Sequence, residues 1–127
     1  MFKLQVNRMF DASHQLPDSD DLITKACARY HGHTYFVKVF FDSKKNKRHG
    51  MVVDFKGIKN IIDILDHQFI NNIFRENRFY VPATAENIAK FLYLRIHSVY
   101  KDLKNLEVAV CEGYKGEENS SWAIYYE

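Results

Sequence analysis

Long apolar runs are missing from this chain: no stretch approaches the roughly 20 residues that a membrane helix needs, which excludes a helical span. Cysteine is scarce. Only Cys27 and Cys111 are present, too few for a disulfide framework, so the fold must rest on its core and the economical expectation is a cytoplasmic protein with free thiols. Proline (two) and glycine (five) are also sparse, and no Ser/Pro/Gly-rich linker, repeat or low-complexity tract divides the chain. Residues 1–127 therefore read as one domain, large enough for a real core. Charge of one sign is absent too: the formal net charge is +2, which calls for neither nucleic acid nor an anionic membrane. The single basic run, Lys44-Lys45-Asn46-Lys47-Arg48, falls between two strand-like segments and favours a solvated hairpin loop over a binding patch. The first residues alternate like a strand and lack the apolar block and cleavage site of a signal peptide.

What is abundant is aromatic: ten Phe, eight Tyr and one Trp, as in a packed, strand-rich globule. Phe2, Leu4, Val6 and Phe10 alternate, predicting a first strand over 2–10 with His14 beyond it in the same parity. A polar loop over 16–30 carries Cys27. A second strand is expected over 33–42, after which a turn with Gly50 leads into Met51-Val52-Val53. Asp54 then suits a helix N-cap, with Phe55, Ile58, Ile61, Ile62 and Leu65 at helical spacing. Gly57 inside that helix costs about 1 kcal/mol relative to Ala. Leu65-Asp66-His67-Gln68-Phe69 is expected to leave the helix extended. Thr84 caps a second helix, Glu86 suits its positive end, and Ile88, Phe91, Leu92, Ile96 and Val99 form its buried stripe. Residues 106–112 and 122–126 supply two more strands. Antiparallel strands with segregated helices make an α+β domain.

The chemistry concentrates near His31-Gly32-His33. Residues i and i+2 of a strand point to one face, so this pair can grip one ion, and Gly32 lets the backbone approach closely. His14, from the neighbouring strand, is the third candidate. Three neutral imidazoles with a vacant fourth position describe a catalytic zinc site better than a closed structural one. A His-x-His pair alone is a weak motif; His14 and Cys27 nearby strengthen it. His49 and His97 are expected to face solvent.

A thiol and an Asp-His pair beside a metal suggest proton abstraction. Cys27 is the candidate base, since a nearby cation lowers a thiol's pKa from about 8.5. His67 is a candidate relay with Asp66 fixing its tautomer, although the two need a local bend to pair; the plain alternative is a surface dipeptide. Glu112 ends a strand whose same-face residues Leu106, Val108 and Val110 are apolar. Either the strand frays there and Glu112 is exposed, or its carboxylate awaits a ligand with two adjacent N–H groups, such as a pterin or guanine. Cys111 faces the other way and reads as a small core residue.

These segments recur in order in one family. Phe10-Asp11-Ala12-Ser13-His14, Cys27-Ala28-Arg29-Tyr30-His31-Gly32-His33, Gly50-Met51-Val52-Val53-Asp54-Phe55, Leu65-Asp66-His67, Thr84-Ala85-Glu86-Asn87 and Glu112 together resemble the 6-pyruvoyl-tetrahydropterin synthase family across nearly the whole chain. The three residues between Cys27 and His31, and the Asp54-Phe55 pair, resemble its bacterial branch, the 6-carboxy-5,6,7,8-tetrahydropterin synthases. Three features depart from the family pattern: the order Pro82-Ala83-Thr84-Ala85-Glu86, Gly113 where Thr usually follows the Glu, and a longer stretch over 114–121.

The resemblance implies a tunnelling fold, a four-stranded antiparallel sheet with two helices packed on one face. Subunits of such a homo-oligomer close into barrels, with active sites at their interfaces. It implies zinc on His14, His31 and His33, proton transfer by Cys27, Asp66 and His67, a pterin anchored by Glu112, and a pocket lined by Thr84 and Glu86. The implied reaction converts 7,8-dihydroneopterin triphosphate to 6-carboxy-5,6,7,8-tetrahydropterin, releasing triphosphate and acetaldehyde on a route to queuosine and related 7-deazapurines. The alternatives are 6-pyruvoyl-tetrahydropterin synthesis, which shares these groups, and a non-catalytic zinc- or pterin-binding module.

Overall fold

A computed structural model of the chain describes residues 1–17, 28–44 and 49–127. Cys27 and most of the basic run lie outside the described residues. Strands β1 (Phe2–His14), β2 (His31–Ser43), β3 (Lys104–Glu112) and β4 (Ala123–Tyr126) form one sheet in the order β1-β2-β3-β4, each pair antiparallel. Between β2 and β3 the chain forms helices α1 (Phe55–Ile62), α2 (Ile70–Glu76) and α3 (Ala85–Val99). No helix among the described residues is long and apolar enough to cross a membrane.

Side-chain alternation decides which face of the sheet is covered. Val6, Phe10 and Ala12 of β1, Tyr35, Val37, Val39 and Phe41 of β2, and Leu106, Val108 and Val110 of β3 are all buried in one cluster. The helices supply the other half, with Ile58 and Ile62 from α1, Ile70 and Phe74 from α2, and Ile88, Leu92 and Ile96 from α3. Cys111 is buried as expected but lies outside this cluster, on the opposite face of β3, where the ring of its cross-strand partner Phe36 packs tilted against Tyr114 with centroids 4.9 Å apart.

Several boundaries differ from the sequence expectations. Both long strands run past them: β1 continues to His14 and β2 begins at His31, so all three candidate ligands are strand residues. Residues 51–53 make bends leading into α1 rather than a strand. Among the described residues three helices form instead of two. The unexpected one, α2, is only seven residues long and shows its apolar period just once, at Ile70 and Phe74, too little for a sequence pattern to declare a helix. Phe55 and Val99 were expected in buried stripes, yet they are 44% and 61% exposed because each terminates its helix beyond the covered turn. Tyr93, outside the expected stripe, is buried on α3.

Both expected caps are present. The Asp54 carboxylate accepts the Lys56 N–H at 2.9 Å, and the Thr84 hydroxyl oxygen accepts the Asn87 N–H at 3.2 Å. Gly57 has a packing reason to exist. A Cβ added there would stand 2.0 Å from the Tyr100 hydroxyl, which follows the last turn of α3. Helix propensity alone would make Gly57→Ala stabilising by about 1 kcal/mol. Overpacking against Tyr100 acts the other way, by about 1–3 kcal/mol. We expect chemical denaturation to show Gly57→Ala destabilised, and Gly57→Ala/Tyr100→Phe to recover most of the loss. A stabilised single variant would mean that Tyr100 moves aside freely.

Candidate metal centre and adjoining cavity

The β1–β2 register builds the histidine cluster. His14 stands directly opposite His31, and His33 lies opposite Ala12 two residues further on. All three side chains share the covered face, so their ring nitrogens converge within 4.8 Å of one another. Nitrogen ligands about 2.0–2.1 Å from one zinc-sized ion stand roughly 3.3 Å apart in a tetrahedron. The cluster is therefore of the right size to hold one ion.

Backbone carbonyls set the tautomers. His14 Nδ1 lies 2.7 Å from the Ala83 carbonyl oxygen, and His31 Nδ1 lies 2.7 Å from that of Arg29. A carbonyl only accepts, so each Nδ1 carries the proton and each Nε2 presents a lone pair. Those two Nε2 atoms face each other at 2.7 Å. The third, His33 Nε2, is buried with no hydrogen-bond partner among the described residues. Converging lone pairs and an orphaned buried nitrogen are what a cation relieves, and the outward N–H to carbonyl contacts are the usual support of ligating histidines. Burial lowers the pKa of His14, and the neighbouring His31 and His33 lower it further, against the Ala83 carbonyl. Burial, then His31, likewise lowers that of His33. Neutral donors are thereby favoured. The three histidines are positioned to hold a metal ion.

Glu112 adjoins this cluster, with Oε2 3.9 Å from His33 Nε2. It does not fray into solvent. Burial raises its pKa, His31 lowers it and Glu86 raises it again. Glu112 and Glu86 border a cavity of about 380 Å³ whose far wall is the 113–122 segment. Beneath the cluster, Tyr35 is fully buried, with its ring 5.5 Å from that of His33 and its hydroxyl without a partner among the described residues. Thr84 acts first as the cap of α3, which places Ala83 under His14 and Glu86 at the cavity.

Asp66 and His67 do pair. The bend comes from His67 itself, at φ 58° in the left-handed region, and His67 Nδ1 lies 2.9 Å from Asp66 Oδ2. Asp66 is anchored on β1: its Oδ1 accepts the Asp11 N–H at 3.1 Å, while the His67 N–H donates to the Asp11 carbonyl at 2.6 Å. The Asp11 N–H, then His67, holds the Asp66 carboxyl below its ordinary pKa. The pair opens on a different cavity, of about 560 Å³, bordered by residues 11–13, 32–34 and 67–69. Among the described residues no hydrogen bond or ring contact joins His67 to the three histidines.

A family model described as 6-pyruvoyl tetrahydropterin synthase matches residues 3–127. The chain belongs to this family. It is 27% identical to the 6-carboxy-5,6,7,8-tetrahydropterin synthase of Bacillus subtilis over 98% of this chain and 84% of that one. It is 30% identical to the protein of that name from Synechocystis sp. over 68% of each. Its fold is that of the 6-pyruvoyl tetrahydropterin synthase of Caenorhabditis elegans, with a TM-score of 0.67 at 21% identity, covering 99% of this chain and 95% of that one. The Plasmodium falciparum 6-pyruvoyl tetrahydropterin synthase follows at 0.62 and 17%, covering 99% and 98%. The tunnelling fold expected from the sequence is thus present.

Within this family's fold, His14, His31, His33, Glu112 and Glu86 come together, Asp66 and His67 form a separate dyad, and Cys27 lies outside the described residues. His49 and His97 are exposed, as expected. Sequence reasoning missed the Ala83 and Arg29 carbonyls, which leave no side-chain signal, and Asp11, which works through its backbone. Tyr35 was within reach, because it continues the His31, His33 parity.

Removing one ligand should remove the ion: we expect His31→Ala, purified folded, to lose stoichiometric metal in elemental analysis, and full retention would strike His31 from the ligand set. Acid sensitivity follows from the same burial. An unfolded histidine takes its proton near 6.5, whereas native His14 and His33 take theirs only at lower pH. Their contribution is complete above about 6.5 and is lost as pH falls through that window. Glu112 acts in the opposite sense, since its raised native pKa favours the folded state as pH falls toward its ordinary 4.5. Glu112→Gln removes the opposing group. The thermal midpoint of metal-free Glu112→Gln should therefore fall between about pH 6.5 and 5, and a flat profile in that variant would contradict neutral native histidines.

Proposed function

We propose that this chain is a zinc-dependent carbon–carbon lyase. It converts 7,8-dihydroneopterin triphosphate, with uptake of water, to 6-carboxy-5,6,7,8-tetrahydropterin, triphosphate and acetaldehyde, and so serves 7-deazapurine (queuosine) biosynthesis. The observation that carries this reading is the contact between a three-histidine cluster and a half-buried carboxylate at a cavity the size of a bicyclic ring. Support for the 6-carboxy product over the 6-pyruvoyl one comes from the names of the sequence relatives and from the short spacer between Cys27 and His31.

Each group has a definite task. Glu112 receives the 2-amino and ring N–H groups of the pterin in a bidentate contact, and those donors restore the solvation that burial withholds. His14, His31 and His33 would hold the metal ion, which when bound would supply Lewis-acid lowering of the pKa of the substrate's side-chain hydroxyls. Cys27 moves a proton between the ring and the side chain. Asp66 accepts the Nδ1–H of His67, leaves His67 Nε2 as proton acceptor and stabilises the imidazolium once it forms. Because no contact among the described residues joins the dyad to the histidine cluster, the reading includes a homo-oligomer in which Asp66 and His67 serve a neighbouring subunit's Cys27.

The test is to incubate zinc-loaded protein with 7,8-dihydroneopterin triphosphate and identify the products by mass spectrometry. A 6-carboxy product with acetaldehyde is expected. A 6-pyruvoyl product would reassign the chemistry, and unreacted substrate would leave a binding module. Cys27→Ala should retain zinc and lose turnover by at least about 100-fold; unchanged turnover would remove Cys27 from the mechanism.

A further inference from the structure

The cavity beside Glu112 is bordered by two chemically unlike sets of residues. Two of them, Glu86 and Glu112, are carboxylates, which as anions can only accept hydrogen bonds. The 113–122 segment contributes Lys115, Asn119, Ser120 and Trp122. Among the described residues that border the cavity, Lys115 is the one cation. This segment also holds both departures near the C-terminus, Gly113 and the long 114–121 stretch.

The segment is tied down rather than left open. Gly113 and Gly116, at φ 65° and 84°, supply its turns, and the Gly113 N–H donates to the Thr34 carbonyl at 2.8 Å. The Ser120 hydroxyl oxygen accepts the Lys115 N–H at 2.9 Å, closing the loop on itself. From the other face of the sheet, Lys38 Nζ lies 3.3 Å from Glu117 Oε1 and 4.6 Å from the centre of the Trp122 ring. Tyr114 donates to the same Glu117 oxygen at 3.1 Å and packs against Phe36. Lys38 thus fixes the middle and the C-terminal end of a loop whose polar groups line a cavity that Lys38 itself does not border.

We infer that the 113–122 segment is the specificity wall of the Glu112 cavity, with Lys115 donating to the carbonyl edge of the heterocycle and Lys38 as the positioning residue that holds the wall. The inference rests on the reading of that cavity as the pterin seat. In a pterin the ring N–H and the 2-amino group sit side by side, and the ring carbonyl is next along the same edge. Once Glu112 takes the N–H pair, the carbonyl must find a donor, and the carboxylates opposite cannot provide one. A 2,4-diamino ring, which carries an amino group where the carbonyl would be and no ring N–H beside it, meets Lys115 with a donor against a donor and Glu112 with an acceptor against an acceptor. The share of the discrimination made at the carbonyl edge is then a property of the loop, as expected when a site built to pair one polar group leaves it unpaired with the wrong ligand, and the Lys115 variant isolates it.

Trp122 is the only tryptophan, so its fluorescence reports on the wall directly. The experiment titrates zinc-loaded full-length protein with unsubstituted pterin and with 2,4-diaminopteridine, following Trp122 quenching. The wild type should bind pterin more tightly. Lys115→Met should weaken pterin binding about tenfold with little change for the diamino ring. Lys38→Met should weaken it about fivefold, shrink the preference and shift Trp122 emission, while Lys38→Arg, which keeps the cation over the ring, should restore all three. Zinc content and thermal midpoint establish that each variant is folded. If Lys115→Met and Lys38→Met leave both the affinity and the preference intact while Glu112→Gln abolishes binding, the wall assignment falls and the pterin seat stands. If Glu112→Gln leaves pterin binding unchanged, both fall.

Discussion

The antiparallel register of β1 on β2 is the constraint on which the rest depends. Thirteen consecutive residue pairs, from Phe2↔Ser43 to His14↔His31, align without interruption. Because side chains alternate, a slip by one residue would send every ligand to the opposite face. What prevents that slip is the core: Val6, Phe10 and Ala12 share parity with His14, and Tyr35, Val37, Val39 and Phe41 share it with His31 and His33. Burying each of the larger of these side chains contributes about 1.5–3 kcal/mol, and a slipped register would expose them together. The metal centre thus inherits its geometry from hydrophobic burial that has no chemical role.

The second constraint is polar, and it links the helices to the site. Thr84 caps α3, and Ala83, the residue before it, turns its carbonyl onto His14 Nδ1. Glu86, in the first turn of the same helix, borders the cavity beside Glu112. One helix start therefore sets a ligand's tautomer and part of the pocket's charge. Burial keeps His14 and His33 neutral, which suits a cation, and it raises the Glu112 pKa, which suits a ligand rich in N–H donors. Low dielectric strengthens each of these interactions once its partner is present and penalises each when it is absent.

Much of this was legible in the sequence, because it is periodic. Alternation over 2–10, 33–42 and 106–112 gave the strands, and parity carried His14, His31, His33 and Glu112 to one face. The caps at Asp54 and Thr84 were legible because Asp and Thr have local reasons to end a chain of free N–H groups. What escaped is what periodicity does not encode. Helix α2 has a single i, i+4 pair. The exposed ends at Phe55 and Val99 satisfy the helical period but outrun the surface available to cover them. The Ala83 and Arg29 carbonyls, and the Asp11 backbone that anchors Asp66, are contributions any residue type could make. His67 in the left-handed region was foreseen only as a need for a bend. The family resemblance supplied the roles that spacing alone left open.

The placement of Asp66 and His67 bears on how the proposed chemistry is assembled. From Asp66 onward the chain runs alongside β1, where the Ser13 N–H donates to the Gln68 carbonyl and Asn71 brackets the Gln15 backbone with both halves of its amide. The dyad is therefore fixed to the outer edge of the strand that carries His14, yet it opens on a different cavity. Its imidazole side chain is 79% exposed, and a base so open to water exchanges protons with solvent as readily as with a substrate. The pairing is in place, but the dry surroundings in which a fixed carboxylate most strengthens an imidazole base are lacking in the single chain. A neighbouring subunit laid over this cavity would exclude that water and bring its own thiol to His67. In the proposed enzyme, oligomerisation is then a requirement of the proton transfer as well as of the barrel.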